Sequence, residues 1–167
     1  MSTFEDDRYR WRETYFVLFP SDRRPTLKTV EKRLGSLNKR YSLENLSADE
    51  DGMIESLTLH APDDFAAMDI CFISGDEVLE HNEELVQELA ATVEPEQKSV
   101  LRRIKQYDGR FDVLHFEQKT DAVAEEDEEG DEMLDPGALL AVLEQLARIT
   151  GGVAVDPQSG TILSTEE

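Results

Sequence analysis

Two long apolar runs constrain the fold of this chain more than any other feature of its sequence. Residues 12–20, "RETYFVLFP", and residues 66–74, "AAMDICFIS", are apolar at intervening as well as alternating positions. A strand that is apolar on both sides must be covered on both sides, which places it inside a sheet. Residues 110–118, "RFDVLHFEQ", have the pattern of a third such strand. We therefore predict that strands 12–20, 66–74 and 111–117 lie in the interior of one sheet.

The rest of the chain predicts helices and shorter strands around these three. Apolar residues recur at helical spacing in residues 26–40, 76–93 and 135–152. Residues 41–47 and 53–61 are typical of a two-stranded hairpin. This order predicts an α+β fold with a mostly antiparallel sheet and helices packed on one face, in a ferredoxin-like arrangement. Because the strands are two-sided, helices on both faces remain an alternative.

The length of 167 residues fits a single domain, residues 1–167. Residues 120–134 are predicted to be an acidic, flexible loop and residues 164–167 a frayed tail. No apolar run approaches the roughly 20 residues of a membrane span, and the acidic N-terminus lacks the pattern of a signal peptide. The sequence therefore predicts a cytoplasmic protein. Its one cysteine, Cys71, excludes an intramolecular disulfide and multi-cysteine metal sites.

Charge is distributed unevenly along the chain. The net charge is −21, yet residues 1–40 carry ten Lys and Arg against six Asp and Glu. The acidic remainder disfavours direct binding to nucleic acid or anionic membranes, although Tyr9 and Trp11 lie among arginines. This layout favours a non-enzymatic interaction or regulatory domain whose acidic surface binds a basic protein partner. A homodimer is compatible with it, and a nucleic-acid mimic is an alternative.

The densest acidity lies in residues 120–134, which hold eight acids and no base. Such a run can bind a basic partner, bind the basic N-terminal part of its own chain, or remain a solvated loop. The candidate partner-binding residues in it are Glu125, Glu126, Asp127, Glu128 and Glu129.

An enzyme or small-ligand site is the second hypothesis, and it centres on Asp69. A carboxylate inside an apolar strand is an environment in which general bases occur. We expect Asp69 to act with His60 or His115 if such a site exists. No Ser/His/Asp arrangement surrounds it, which favours a protein that is not an enzyme and has no cofactor.

A metal site is considered for the predicted helix that begins at residue 76. Glu77, His81 and Glu84 lie on one helical face, where they would reach a divalent ion. The Glu-x-x-His spacing of bundle di-iron sites is absent, and a solvated acidic face explains the same pattern. We predict no metal.

The glycines of residues 151–163, "GGVAVDPQSGTIL", follow a helix instead of preceding one. They would face the carbonyl end of that helix, where an anion is disfavoured. They predict a helix stop followed by a closing hairpin. This pattern, over about thirty residues, resembles the terminal hairpin of small bacterial proteins of unknown function, and the resemblance implies no functional residue.

Overall fold

The computed structural model describes residues 9–62, 66–118 and 137–165. Short 3-10 helices at Ser21–Arg23 and Pro95–Gln97 join longer elements. The strands are β1 (Tyr9–Phe19), β2 (Ser42–Ala48), β3 (Ile54–Ala61), β4 (Ala66–Ser74), β5 (Gly109–Gln118), β6 (Val153–Asp156) and β7 (Thr161–Thr165). The helices are α1 (Leu27–Gly35), α2 (Asp76–Ala90), α3 (Lys98–Ile104) and α4 (Gly137–Thr150).

All seven strands of the described chain form one antiparallel sheet in the order β2-β3-β4-β5-β1-β6-β7. The three central positions belong to β4, β5 and β1. These strands are the three whose two-sided apolar pattern predicted an interior position, so that prediction is confirmed. The α+β class and the antiparallel sheet are confirmed with it.

Helices cover both faces of this sheet. Val17 and Phe19 of β1 belong to a core that includes residues of α1 and α4, and we call this side the first face. Phe16 and Leu18, which alternate with them, belong to a second core with α2 and α3 on the second face. The expected packing of helices on one face, in the ferredoxin-like manner, therefore does not hold. Two-sided strands have two apolar surfaces to bury, and each one requires its own layer of helices.

The second face is covered unevenly. Its apolar core joins α2 and α3 to β1, β6 and β7. On β2, β3 and β4 the same face carries polar side chains, because the register pairs Thr58 with Asp69 and Ser56 with Cys71. We call this part of the second face, with Glu44, Thr58, His60, Asp69 and Cys71, the polar half.

The predicted closing hairpin is present as β6 and β7. Gly151 ends α4 with a φ of 67° and Gly160 closes the hairpin turn with a φ of 66°, a region that favours glycine. Strand β7 continues to Thr165, into the expected frayed tail, and Glu166 and Glu167 lie outside the described residues. In the described part of the chain, no helix is long and apolar enough to cross a membrane.

Candidate functional site

Helix α2 presents an acidic face. All six of its carboxylates are exposed, its fifteen residues include no Lys or Arg, and no salt bridge reaches these carboxylates within the described chain. Asp76 and Glu77 lie at the N-terminus of the helix, where the macrodipole favours negative charge. Further along the helix, neighbouring carboxylates repel one another at i,i+3 and i,i+4 spacing. We call this set the acidic face: Asp76, Glu77, Glu80, Glu83, Glu84 and Glu88.

The opposite side of α2 attaches it firmly to the sheet and to α3. Asn82 is fully buried, and its side-chain amide donates to the carbonyls of Ile104 and Tyr107, at 3.0 and 2.8 Å. His81 packs edge-on against Phe16, with ring centroids 5.5 Å apart. These contacts fix the position of the acidic face relative to the sheet.

His81 is engaged with a buried arginine. Its Nδ1 lies 2.6 Å from Nη1 of Arg110, and a guanidinium can only donate, so Nδ1 accepts. Arg110 also stacks over Phe16 and pairs with Asp112 at 2.6 Å. Glu77 and Glu84 are exposed, and within the described ranges no three His, Cys, Asp or Glu residues are grouped to hold a metal ion.

A chain of hydrogen bonds crosses the polar half. The Tyr9 hydroxyl lies 2.9 Å from Nδ1 of His60, and Nε2 of His60 lies 3.1 Å from a Glu44 carboxylate oxygen. Because the carboxylate can only accept, the neutral ring carries its proton on Nε2 and accepts from Tyr9 at Nδ1. Tyr9 therefore donates to His60, and His60 donates to Glu44.

Asp69 also lies on the polar half. It pairs with Thr58, and His60 is the next residue of β3 on the same face. The hydroxyl of Thr58 donates to Asp69 at 2.8 Å, and the side chain of Asn45 donates to Thr58 at 3.3 Å. Cys71 is the next residue of β4 on this face, and burial raises the pKa of its thiol, with help from the charges of Asp69 and Asp112. The fold thus brings Asp69 and His60 to one surface and keeps the thiol protonated there.

His115 lies on the first face, on the opposite side of the sheet from Asp69. It pairs with Met68 across β4 and β5, and its Nδ1 is 3.3 Å from a Glu13 carboxylate oxygen. It is buried, its Nε2 has no hydrogen-bond partner, and burial lowers its pKa. Of the two histidines considered as partners of Asp69, only His60 shares its surface.

Three arginines of the basic N-terminal part are engaged within the fold. Arg10 and Arg12 both pair with Glu117, whose side chain is 4% exposed. Arg24 pairs with Asp49 at 3.1 Å and stacks over Phe72. Arg10, Arg12 and Arg24 therefore have carboxylate or aromatic partners within the fold.

The sequence interpretation missed three of these features. Buried Asn82, buried Glu117 and the Tyr9 to His60 bond join residues 22 to 107 positions apart. No local pattern marks such pairs, because a polar residue in a helix or strand is normally exposed. The candidate acidic residues Glu125, Glu126, Asp127, Glu128 and Glu129 lie outside the described residues.

Comparison with protein-family models, curated proteins and solved structures found no match. The resemblance of the closing hairpin to small bacterial proteins therefore assigns no family.

Proposed function

We propose that this protein is a non-enzymatic interaction or regulatory domain whose acidic surface binds a basic protein partner. The proposal is carried by the acidic face of α2. Its six carboxylates are exposed, and none of them forms a salt bridge with another described residue. Each like-charged neighbour pair on a helix costs about 0.2–0.5 kcal/mol, which a cationic partner would recover. The apolar attachment of α2 keeps this charge in place, so binding would require little reordering.

A defined polycation tests the proposal without knowledge of the natural partner. The probe is a fluorescent ten-residue oligolysine, and its anisotropy is measured with the full chain at low and high salt. The test variant replaces Glu80, Glu83, Glu84 and Glu88 with Gln. We expect it to lose at least about tenfold in affinity, since electrostatic binding depends on the local field of the docking surface.

A matched control separates location from net charge. Asp22, Glu31, Glu50 and Asp51 are exposed acids outside α2. Their replacement by Asn or Gln changes the net charge by the same amount. If the two variants lose affinity equally, α2 is not the binding surface and the proposal is wrong. If only the α2 variant loses affinity, a salt-dependent pull-down from native lysate would identify the partner, and competition with DNA for a DNA-binding partner would identify mimicry.

The second candidate function is a small-ligand site or enzyme on the polar half. The hydrogen-bonded order of Glu44, His60 and Tyr9, beside Asp69, favours it, because it aligns a carboxylate, an imidazole and a phenol. Thermal-shift screening of small metabolites tests it, with Asp69→Asn and His60→Gln as variants. A ligand whose stabilisation disappears in both variants would support this function over the first.

A further inference from the structure

The sheet ends on two edge strands that are built differently. Strand β2 has two register shifts against β3, and Asn45 within it has a φ of 53°. A charged side chain at a sheet edge, here Glu44, opposes addition of another strand. Strand β7, "TILST", has one register shift against β6, in which Leu163 is the extra residue of β7, and it has no charged residue. In the described chain, the outer edge of β7 has no strand beside it.

An apolar groove borders the β7 edge on the first face. Leu140, Leu143 and Glu144 of α4, together with Leu163 of β7, line a depression of about 320 Å³. Leu140 is 48% exposed and Leu163 is 37% exposed. Apolar side chains of an added strand would bury these two leucines, which is a favourable change.

The acidic helix α2 borders the same hairpin on the second face. Ile162 of β7 packs in one core with Leu85 and Leu89 of α2. Beyond the end of α2, the Thr92 hydroxyl donates to the carbonyl of Gly160 in the hairpin turn. The C-terminal half of α2, with exposed Glu84 and Glu88, therefore lies over the β6 and β7 side of the sheet.

We propose that the outer edge of β7 binds an extended segment of a basic partner in which apolar residues alternate with Lys or Arg. Alternate side chains of a strand point to opposite faces, so the apolar ones enter the α4 groove. The basic ones then lie on the face of α2 and meet its carboxylates. This inference rests on the proposed function, which supplies a basic partner.

A second copy of the chain fits this edge less well. Two β7 strands that pair antiparallel are related by a two-fold axis perpendicular to the sheet, which keeps equivalent faces together. Both α2 helices would then lie on one face of the joined sheet, each with six exposed carboxylates. Their repulsion opposes self-pairing, and β7 offers no basic residue to offset it.

The test uses a labelled ten-residue peptide of alternating Lys and Val, with blocked ends, titrated into the full chain. One control peptide replaces Lys with Glu. Another keeps Lys and Val but carries N-methyl groups on alternate backbone amides, which removes edge hydrogen bonds without changing charge. We expect the Lys-Val peptide to bind at least about tenfold more tightly than either control. Each control lacks one set of contacts, and the loss of such a set typically lowers affinity by about this factor.

Protein variants locate the site. Leu163→Lys changes the β7 edge, and Leu46→Lys is its matched control, since Leu46 is a 41% exposed leucine on the opposite edge strand β2. We expect about a tenfold loss for the first and less than about twofold for the second. Leu140→Lys examines the groove from the helix side, so the conclusion does not depend on one variant folding.

The outcomes separate this inference from the proposed function. If Leu163→Lys and Leu140→Lys bind as well as Leu46→Lys while the four-residue Gln variant of α2 loses affinity, docking at β7 is wrong and the acidic surface stands. If the α2 variant binds normally and the Glu-Val peptide binds equally well, the proposed function and the charge argument both fail. If sedimentation gives a dimer that Leu163→Lys dissociates, the occupant of the edge is a second copy and the inference is overturned.

Discussion

The two faces of the sheet differ in how they are covered. The first face is covered by one continuous core that extends from β3 to β6 and includes α1 and α4. The second face has a smaller core under α2 and α3, and polar side chains fill its other half. The acidic face and the polar half are the two surfaces for which a function is proposed above. Both lie on the second face. The first face therefore mainly stabilises the fold, whereas the second face carries most of the residues proposed to bind a partner or a ligand.

The largest expected effect comes from removing apolar volume on the first face. Leu59 of β3 is fully buried there, and Leu59→Ala should lower the free energy of unfolding by about 2–5 kcal/mol. Leu114→Ala is the matched control, because Leu114 pairs with Asp69 on the second face and is only partly buried. Denaturant unfolding of both variants measures the difference. Equal losses would remove the distinction between the two faces.

The next effect concerns the attachment of the acidic helix. Asn82→Ala removes a buried donor from the carbonyls of Ile104 and Tyr107, of which Ile104 keeps the Tyr107 N–H, and should cost about 1–3 kcal/mol. Gln87→Ala on the exposed side of the same helix should cost almost nothing. Thermal and denaturant unfolding compare the two. A negligible cost for Asn82→Ala would mean that the hydrogen bonds of Asn82 do not help to hold α2 in place.

The free energy of unfolding should depend on pH through His115, which is buried on the first face. Burial lowers the pKa of His115 below its ordinary value of 6.5, so the unfolded chain binds the proton first as the pH falls. The contribution of His115 is therefore complete above pH 6.5 and is lost as the pH falls below it, by at most about 1.4 kcal/mol per pH unit. Glu13 opposes the shift, and Arg12 adds to it.

The measurement is the free energy of unfolding between pH 7.5 and 5, in wild type and His115→Phe. The variant should have a shallower pH dependence, because its side chain cannot be protonated. Parallel curves for the two proteins would show that His115 is not buried as described.

The smallest expected effect lies on the acidic face. Glu84→Gln removes the repulsion from Glu80 and Glu88, and should raise stability by about 0.2–0.5 kcal/mol for each of the two pairs at low salt. Glu31→Gln on α1 is the control, since Lys28 lies three residues before it. The gain should shrink at high salt as the charges are screened. A loss of stability in Glu84→Gln would contradict the repulsion on which the proposed function depends.

Much of the architecture was predictable from local pattern. The runs at residues 12–20 and 66–74 predicted central strands because a two-sided apolar strand has no stable place at an edge. Gly151 and Gly160 predicted the helix stop and the hairpin because glycine readily adopts a positive φ. Both residues have a positive φ in the structure. Of the six exposed carboxylates of α2, Glu77 and Glu84 were predicted from helical spacing to share one solvated acidic face.

Only the tertiary structure decided which residues face one another. The sequence by itself determined the elements, the interior strands and the uneven charge, because these depend on near neighbours in the chain. The distribution of helices over two faces, the separation of His115 from Asp69 and the joining of His60 to Tyr9 depend on strand register and crossover. Register brings distant residues together, and a shift of one position would move each side chain to the other face.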